Sequence, residues 1–192
     1  MRYLLTIGLC LGSVARLGAQ TSVHPALVSQ PEGAPVALVA THTLNGRVHA
    51  AVTVRNLSAH PVATLTFVVT IGDPTTSTAL RRTDTVPAAL APGAILDVTL
   101  PGISASTIAR LLPSVTAPMA ELAIAAVTFA DGTGWRLRSL SGWLGHPGPP
   151  VTAQCLDSSN AVVPLGGTVL DAAISKQCTA GGLLLPAAGG IQ

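Results

Sequence analysis

The sequence predicts an all-β protein: an antiparallel β-sandwich of about seven strands, with one short helix and a disulfide-closed C-terminal appendage. Three observations predict this class. Apolar and polar residues alternate over short runs, which is the period of half-buried strands. Turn-forming residues interrupt the chain about every ten residues, and no long helical pattern separates the runs. Cys155 and Cys178 both follow the last of these runs.

The first residues have the composition of a secretory signal peptide. Arg2 provides a positive charge, residues 3–14 are mostly apolar, and Leu17-Gly18-Ala19 ends the segment with small residues. The apolar run is too short to span a bilayer comfortably, and a small residue suits a cleavage site. We therefore predict that residues 1–19 are removed after Ala19 and that the protein is exported to the periplasm or the extracellular medium.

Cys10 offers an alternative, because a lipoprotein would be acylated on such a cysteine. However, Leu9 is bulky where a small residue is expected, and Cys10 lies inside the apolar run. Signal cleavage instead removes Cys10 and leaves Cys155 and Cys178, an even pair that favours a disulfide in an exported protein. A redox or metal role for this pair has no support from a Cys-x-x-Cys spacing.

Composition argues against several classes of partner. The mature chain carries eight Lys and Arg side chains against eight acidic ones, since Arg2 and Arg16 leave with the signal. No basic stripe remains to follow nucleic-acid phosphates. Platforms for stacking bases or sugars are scarce as well. The mature aromatic residues are Phe67, Phe129, Trp135 and Trp143. No later segment is long and apolar enough to cross a membrane.

The first two strands form a predicted hairpin behind a flexible leader over residues 20–34. Strand-like runs over 36–44 and 47–55 flank Asn45-Gly46. An Asn-Gly pair suits a type I′ turn, because both turn positions need positive φ. This turn pairs Leu44 with Arg47, and one face of the hairpin should then enter the core. That face carries Val39, Val48, Ala50, Val52 and Val54.

Three further strands follow. Residues 62–71 alternate most clearly, with apolar side chains on one face and threonines on the other. Residues 80–86 are more polar and include Arg81, Arg82 and Asp84, which is typical of an edge strand. Residues 87–93 predict a turn, and residues 94–100 alternate again.

A short helix and a second hairpin complete the sandwich. Residues 104–112 predict the helix, because Ser104 can cap it and Pro113 ends it. Residues 119–129 form a long Ala-rich strand. Asp131-Gly132 then turns the chain into a last strand over 135–138.

The order of these strands, and the Leu90-Ala91-Pro92-Gly93 turn that leads into a strand, resemble the immunoglobulin-like modules of many exported bacterial proteins. The resemblance covers residues 36–138 and is one of architecture. The disulfide-plus-tryptophan pattern of antibody domains is absent, because both cysteines lie outside the sandwich. The resemblance implies a β-sandwich domain over residues 35–138 and carries over no functional residue, since this architecture has many functions.

Residues 139–150 form a predicted Gly/Pro-rich linker, and residues 151–192 a disulfide-closed segment and tail. A Cys155–Cys178 bridge should stabilise the fold by roughly 3 kcal/mol, because it restricts the unfolded chain. The closed segment is either a flap packed on the sandwich or a mobile appendage. Trp135 should pack at the sandwich edge. Trp143 either fastens the tail to the sandwich, which we favour, or is exposed for a partner.

Two histidines are the candidate metal ligands. The predicted register places His42 opposite His49 on the outer face, where cross-strand Cβ atoms lie about 4.5–5.5 Å apart. That separation allows both to bind one metal ion, with His24 or His60 as a third ligand. The alternative is two exposed histidines on a solvent face, and we favour it because isolated pairs seldom suffice for zinc.

Hydrolysis would need a Ser-His-Asp triad or a pair of carboxylates. These residue types are present, but a Gly-x-Ser-x-Gly elbow is not. Asp73 and Asp131 lie in predicted turns, and Asp97 and Glu121 in predicted strands. The Asn56-Leu57-Ser58 sequon fits either N-glycosylation or an Asx turn.

The sequence therefore predicts an exported monomer that is not an enzyme, needs no cofactor and binds another protein or an envelope component. Its polar strand faces and loops are the expected binding surfaces. Three alternatives remain open. They are a metal-binding envelope protein using His42 and His49, a secreted hydrolase with an unrecognised site, and a structural subunit that polymerises through the polar edge strand near Arg81.

Overall fold

A computed structural model of the chain describes residues 27–138, 140, 142–143, 151–171 and 173–187. Its elements in chain order are β1 (Leu27–Ser29), β2 (Val36–Leu44), β3 (Arg47–Asn56), β4 (Val62–Gly72), β5 (Thr78–Leu90), β6 (Ile95–Thr99), β7 (Ile103–Ser104), α1 (Ala105–Leu111), β8 (Met119–Phe129), β9 (Gly134–Arg136), β10 (Thr152–Leu156), β11 (Val162–Val163), β12 (Thr168–Asp171), β13 (Ile174–Cys178) and β14 (Leu184–Pro186). The predicted signal peptide, Cys10, His24 and His146-Pro147-Gly148-Pro149-Pro150 of the linker lie outside the described residues.

The strands form three sheets. The main sheet has the order β1-β8-β4-β5-β10-β11, and β9 also pairs with β8. The second sheet has the order β2-β3-β6, with β7 also on β3, and the C-terminal sheet has the order β12-β13-β14. The all-β, sandwich-like architecture is thus confirmed. The prediction of an entirely antiparallel arrangement is wrong, because β1 pairs parallel with β8 and β10 pairs parallel with β5.

One apolar core joins the main sheet, the second sheet and α1. Strand β4 lies between β8 and β5 and contributes the alternating set that its sequence predicted. Burying each large side chain of this kind contributes about 1.5–3 kcal/mol. The set from β4 is Leu65, Phe67, Val69 and Ile71, which face Val52, Val54, Val98, Ile103 and Ile108 of the same core cluster.

The first hairpin has the predicted turn but a different register. Asn45 and Gly46 have φ of 51° and 69°, and Leu44 pairs with Arg47, as the type I′ turn requires. Register shifts then occur between Leu38 and Ala40 and between His42 and Leu44. Each shift moves side chains to the other face of the sheet. Val39 is consequently 56% exposed, so its predicted place in the core is wrong, whereas Leu38 packs against the core.

Strand β5 is an interior strand, and its predicted place at an edge is wrong. It continues to Leu90 and pairs with β4 on one side and with β10 on the other. Pro87 lies within this strand and pairs with Thr64 of β4. The pairing shifts register between Val62 and Thr64, and a proline is tolerated in a strand at such an irregularity. Because β10 and the segments that follow it cover this strand, Arg81 and Arg82 are buried.

The helix and the second hairpin follow the local signals of the sequence. The Ser104 hydroxyl accepts a hydrogen bond from the Thr107 backbone N–H, which caps α1. In the β8–β9 turn, the Asp131 carboxylate accepts hydrogen bonds from the backbone N–H and the hydroxyl of Thr133. Within the described ranges, no helix has the length and apolar character needed to cross a membrane.

Segments before and after the predicted sandwich both join the main sheet. Strand β1 lies within residues 20–34 and pairs with β8 at Glu121–Ala123. After the predicted sandwich, β10 pairs with β5 over Thr78–Arg82. The cluster of Cys155, Val163, Cys178 and Leu184 then packs the C-terminal sheet against β10 and β11. The chain after residue 150 therefore contributes both to the main sheet and to a layer beside it.

The predicted disulfide is confirmed. Cys155 of β10 is bonded to Cys178 of β13, with their Cα atoms 5.7 Å apart. Both residues are buried. The bond therefore links the main sheet covalently to the C-terminal sheet.

Removing the disulfide should lower the stability of the whole fold. We expect the Cys155→Ala/Cys178→Ala variant to lose about 3 kcal/mol of unfolding free energy, because its unfolded chain is no longer closed into a loop. Urea unfolding, with and without reductant, measures this loss. Reductant should destabilise the native chain and leave the double variant unchanged, and an effect of reductant on the double variant would contradict the assignment.

Candidate functional site

His42 and His49 do not face each other, so the predicted cross-strand pair is wrong. His42 pairs with Ala51, because the second register shift inserts extra residues into β3 after Val48. Within this irregularity His49 adopts a left-handed φ of 53° and is only 1% exposed. Its Nδ1 lies 3.1 Å from the Thr41 hydroxyl and its Nε2 lies 3.2 Å from the Ala120 carbonyl oxygen.

The metal-binding interpretation rested on that pairing and loses its premise. Both ring nitrogens of His49 already have hydrogen-bonding partners inside the protein. His60 lies elsewhere, where its ring stacks at a tilt against Phe129. The described residues contain no group of three or more His, Cys, Asp or Glu side chains arranged to hold a metal ion.

The environment of His49 strongly disfavours its charged form. Burial is the main cause and lowers the pKa of His49 from 6.5 to about 4, and the charge of Arg82 lowers the pKa further, while the bond to Ala120 opposes the change. The unfolded chain therefore binds a proton more readily than the folded chain between these two pH values. The stability contributed by neutral His49 is complete above pH 6.5 and is lost as the pH falls towards 4.

A pH titration of stability tests this environment. We expect the unfolding free energy of the native chain to fall by about 3 kcal/mol between pH 6.5 and pH 4 through His49. The His49→Asn variant keeps a residue type that tolerates positive φ and should lose that part of the slope. The His42→Asn variant is the matched control on the same hairpin. An unchanged slope in His49→Asn would contradict the burial of a neutral imidazole.

The side chain of Asn56, the first residue of the sequon, stabilises a turn. Asn56 is fully buried, and its Nδ2 donates to the carbonyl oxygens of His60 and Leu90. Its Oδ1 accepts from the backbone N–H and the hydroxyl of Ser58. All its side-chain atoms are thus used inside the protein, which is the Asx-turn alternative.

The two tryptophans have the packing roles that the sequence favoured. Trp143 is 6% exposed and packs with Ala79, Val151 and Ala153, so it fastens the linker to the main sheet. Trp135 is half-buried against the main core. Both side chains therefore contribute to packing.

A buried serine and carboxylate lie together, without a histidine. The Ser29 hydroxyl donates a hydrogen bond to Glu121 Oε1, and both residues are buried. His49 lies near Ala120, the residue before Glu121. Its Nε2 is hydrogen-bonded to the Ala120 carbonyl oxygen and not to Ser29 or Glu121. No Ser-His-Asp arrangement is therefore present among these residues of the described chain.

A cleft of about 850 Å³ lies over the outer face of the main sheet in the described part of the chain. We call it the threonine cleft. Its floor is formed by threonines of neighbouring strands. Side chains two residues apart on one strand lie on the same face of a sheet, so these threonines share the outer face. The floor threonines are Thr64 and Thr66 of β4, Thr83 and Thr85 of β5, and Thr128 of β8.

Two walls rise from this floor. One wall is formed by β9 and Leu137. Beside this wall, the pairing of β8 with β4 shifts register, and Ala125 is the extra residue in β8. The other wall is one face of the C-terminal sheet, which carries Ile174, Lys176 and Pro186. Most wall side chains are aliphatic, and the cleft is open to solvent.

The charged groups that line the threonine cleft are all cationic. Arg136 of β9 is exposed and lies on one wall, and Lys176 of β13 lies on the opposite one. No Asp, Glu or His side chain is among the described residues that line it. Both cations therefore favour a negatively charged group in the cleft.

Arg81 holds the chain beside the cleft in place. Its guanidinium donates to the Thr70 hydroxyl and to the carbonyl oxygens of Leu140, Gly142 and Gly181. Burial lowers the pKa of Arg81 to about 10, and the nearby Glu121 carboxylate opposes that change. Arg81 is therefore charged at neutral pH and binds both the linker and the turn that leads into β14.

Gly182 allows this turn to approach the main sheet. It has a φ of 70°, and a Cβ at this position would collide with the Ala153 side chain and lie 3.1 Å from Cδ of Arg81. Gly166 has a similar φ of 76°, but nothing lies within 4 Å of its Cβ position. The two glycines thus share a backbone requirement and differ in the space around them.

Alanine substitutions at these two glycines test whether the turn before β14 packs against the main sheet. We expect Gly166→Ala to lose only the strain of the left-handed conformation, about 1–2 kcal/mol of unfolding free energy. Gly182→Ala should lose about 1–3 kcal/mol more, because the turn must also move away from Ala153 and Arg81. Urea unfolding of both variants measures the difference. Equal losses would show that the turn does not rest on the main sheet.

Sequence reasoning missed the threonine cleft, although one signal for its floor was visible. Threonines at alternate positions mark Thr64 and Thr66 on one strand and Thr83 and Thr85 on another. The walls carried no comparable signal, because β9 and the C-terminal sheet lie far from these threonines along the chain. Comparisons with protein families, curated proteins and solved structures found no match to this chain.

Proposed function

We propose that this chain is an exported, non-enzymatic binding module of the cell envelope, and that its ligand occupies the threonine cleft. The immunoglobulin-like classification of the sandwich and the removal of residues 1–19 as a signal peptide belong to this proposal. The ligand is another protein or an envelope component.

One observation carries the proposal. The threonine cleft is of the size that ligand pockets usually have, and its walls belong to segments that are fastened to the main sheet. The disulfide fastens β13 through Cys178, and Arg81 fastens the turn before β14 through the Gly181 carbonyl. A cleft with fixed walls can bind a ligand without first ordering them.

The compartment is supported by the disulfide. Disulfides form and persist in the periplasm and outside the cell, and they are rare in the cytosol. The buried bond between Cys155 and Cys178 is therefore compatible with export. The apolar segment of residues 3–14 and the small residues before Gln20 point to the same compartment.

The alternatives have less support among the described residues. Metal binding rested on the pairing of His42 with His49, which the register does not contain. Polymerisation through Arg81 would need β5 to be an edge strand, and β10 pairs with β5 at this position. A hydrolytic site would need a nucleophile and a base in the cleft, and the charged groups lining it are Arg136 and Lys176.

A cleft-filling variant tests the proposal with the dye 1-anilinonaphthalene-8-sulfonate, an anion with apolar rings. We expect the native chain to bind the dye at one site, with a rise in fluorescence. Thr85→Trp should lower the affinity about tenfold or more, because the indole occupies the cleft. Thr99→Trp is the matched control, since Thr99 is also an exposed strand threonine but lies on β6 of the second sheet.

Thermal unfolding of both variants establishes that they fold. Equal dye binding by Thr85→Trp and Thr99→Trp, or no binding by the native chain, would contradict a ligand site in the threonine cleft.

A further inference from the structure

We propose that the threonine cleft binds a long-chain aliphatic carboxylate. The chain of the ligand lies between Leu137 and the face of the C-terminal sheet, and its carboxylate lies beside Arg136 and Lys176. This inference rests on the proposed function and takes the ligand to be an envelope component of this chemical class rather than a protein. Three properties of the cleft support it: the aliphatic side chains of the walls, the paired hydroxyls of Thr66 and Thr85 on the floor, and the positive charge of the lining.

The walls are aliphatic. Leu137 lies on one side, and Ile174, Leu184 and Pro186 lie on the other. Trp135 is the one aromatic residue among the described lining residues, and it is partly buried against the main core. A flexible hydrocarbon chain suits such walls, whereas a sugar or a nucleobase is usually stacked on an exposed ring.

Two of the floor hydroxyls are already hydrogen-bonded to each other. The hydroxyls of Thr66 and Thr85 lie 3.0 Å apart and bond to each other across β4 and β5. A bound peptide would bring backbone amides that need partners, and the aliphatic side chains of the walls are not hydrogen-bonding groups. A hydrocarbon chain has no such requirement and can lie on paired hydroxyls.

The charge selects an anionic head. Arg136 and Lys176 stand on opposite walls, and no acidic side chain is among the described residues that line the cleft. An ionised carboxylate accepts strong hydrogen bonds from both types of cation. A neutral or cationic amphiphile of the same length lacks this interaction, so head-group charge and chain length should contribute separately to affinity.

The experiment measures binding of a homologous series: octanoate, decanoate and dodecanoate, each below its micellar concentration. The readout is displacement of 1-anilinonaphthalene-8-sulfonate together with titration calorimetry. We expect the affinity to rise about fourfold for each added methylene, as for transfer of hydrocarbon out of water. The alcohol 1-decanol should bind about tenfold more weakly than decanoate, and decyltrimethylammonium more weakly still.

Paired variants test the role of the cations. We expect Arg136→Gln/Lys176→Gln to weaken decanoate binding about tenfold or more and to leave 1-decanol binding unchanged. Arg47→Gln/Arg55→Gln removes the same charge from exposed positions on β3 and should leave decanoate binding intact. The single variant Arg136→Gln, at an exposed position, should show a smaller loss and keeps the test valid if the double variant unfolds.

The outcomes separate the two proposals. Dye binding in the cleft without displacement by any carboxylate would overturn this inference and leave the proposed function standing. Affinity that does not depend on chain length, or equal binding of decanoate and 1-decanol, would also overturn it. Absence of a dye site in the cleft would instead contradict the proposed function itself.

Discussion

The buried guanidinium of Arg81 is the interaction on which the arrangement of the C-terminal part depends. The side chain is fully buried, and a charge in that position is tolerated only when its N–H groups have partners. Thr70 supplies one partner from the main sheet, and the carbonyls of Leu140, Gly142 and Gly181 supply the others. Segments that are distant along the chain are thereby brought together over one face of the sheet.

The threonine cleft is a consequence of this covering. Leu140, Gly142 and the β13–β14 turn lie over one end of the outer face, near Arg81, while the same face farther along β4 and β5 remains open. The disulfide keeps β13 beside β10, so the C-terminal sheet stands as a wall over the open part. The wall is joined to the main sheet covalently and by buried hydrogen bonds, which pre-organises the cleft for a ligand.

Local signals determined much of the secondary structure. Asn45-Gly46 specified a turn because few other residue pairs tolerate two successive positive φ values, and the hairpin strands begin beside it. Ser104 placed the start of α1 by capping it. The same reasoning failed for Val39 and His49, since a register shift adds residues that the alternating pattern does not reveal. The metal-site interpretation lost with it the pairing on which it depended.

The sequence by itself determined the strand-rich class, the turns, the helix cap and the cysteine pair, because each depends on backbone preferences or chemistry within a few residues. Only the tertiary structure decided that β5 is interior, that Arg81 is buried and that a cleft exists. These features depend on β10 and the C-terminal sheet, which pair or pack with residues far away in the chain. Alternation of polar and apolar residues specifies that a strand has two different faces, but it does not specify which distant segment will cover them.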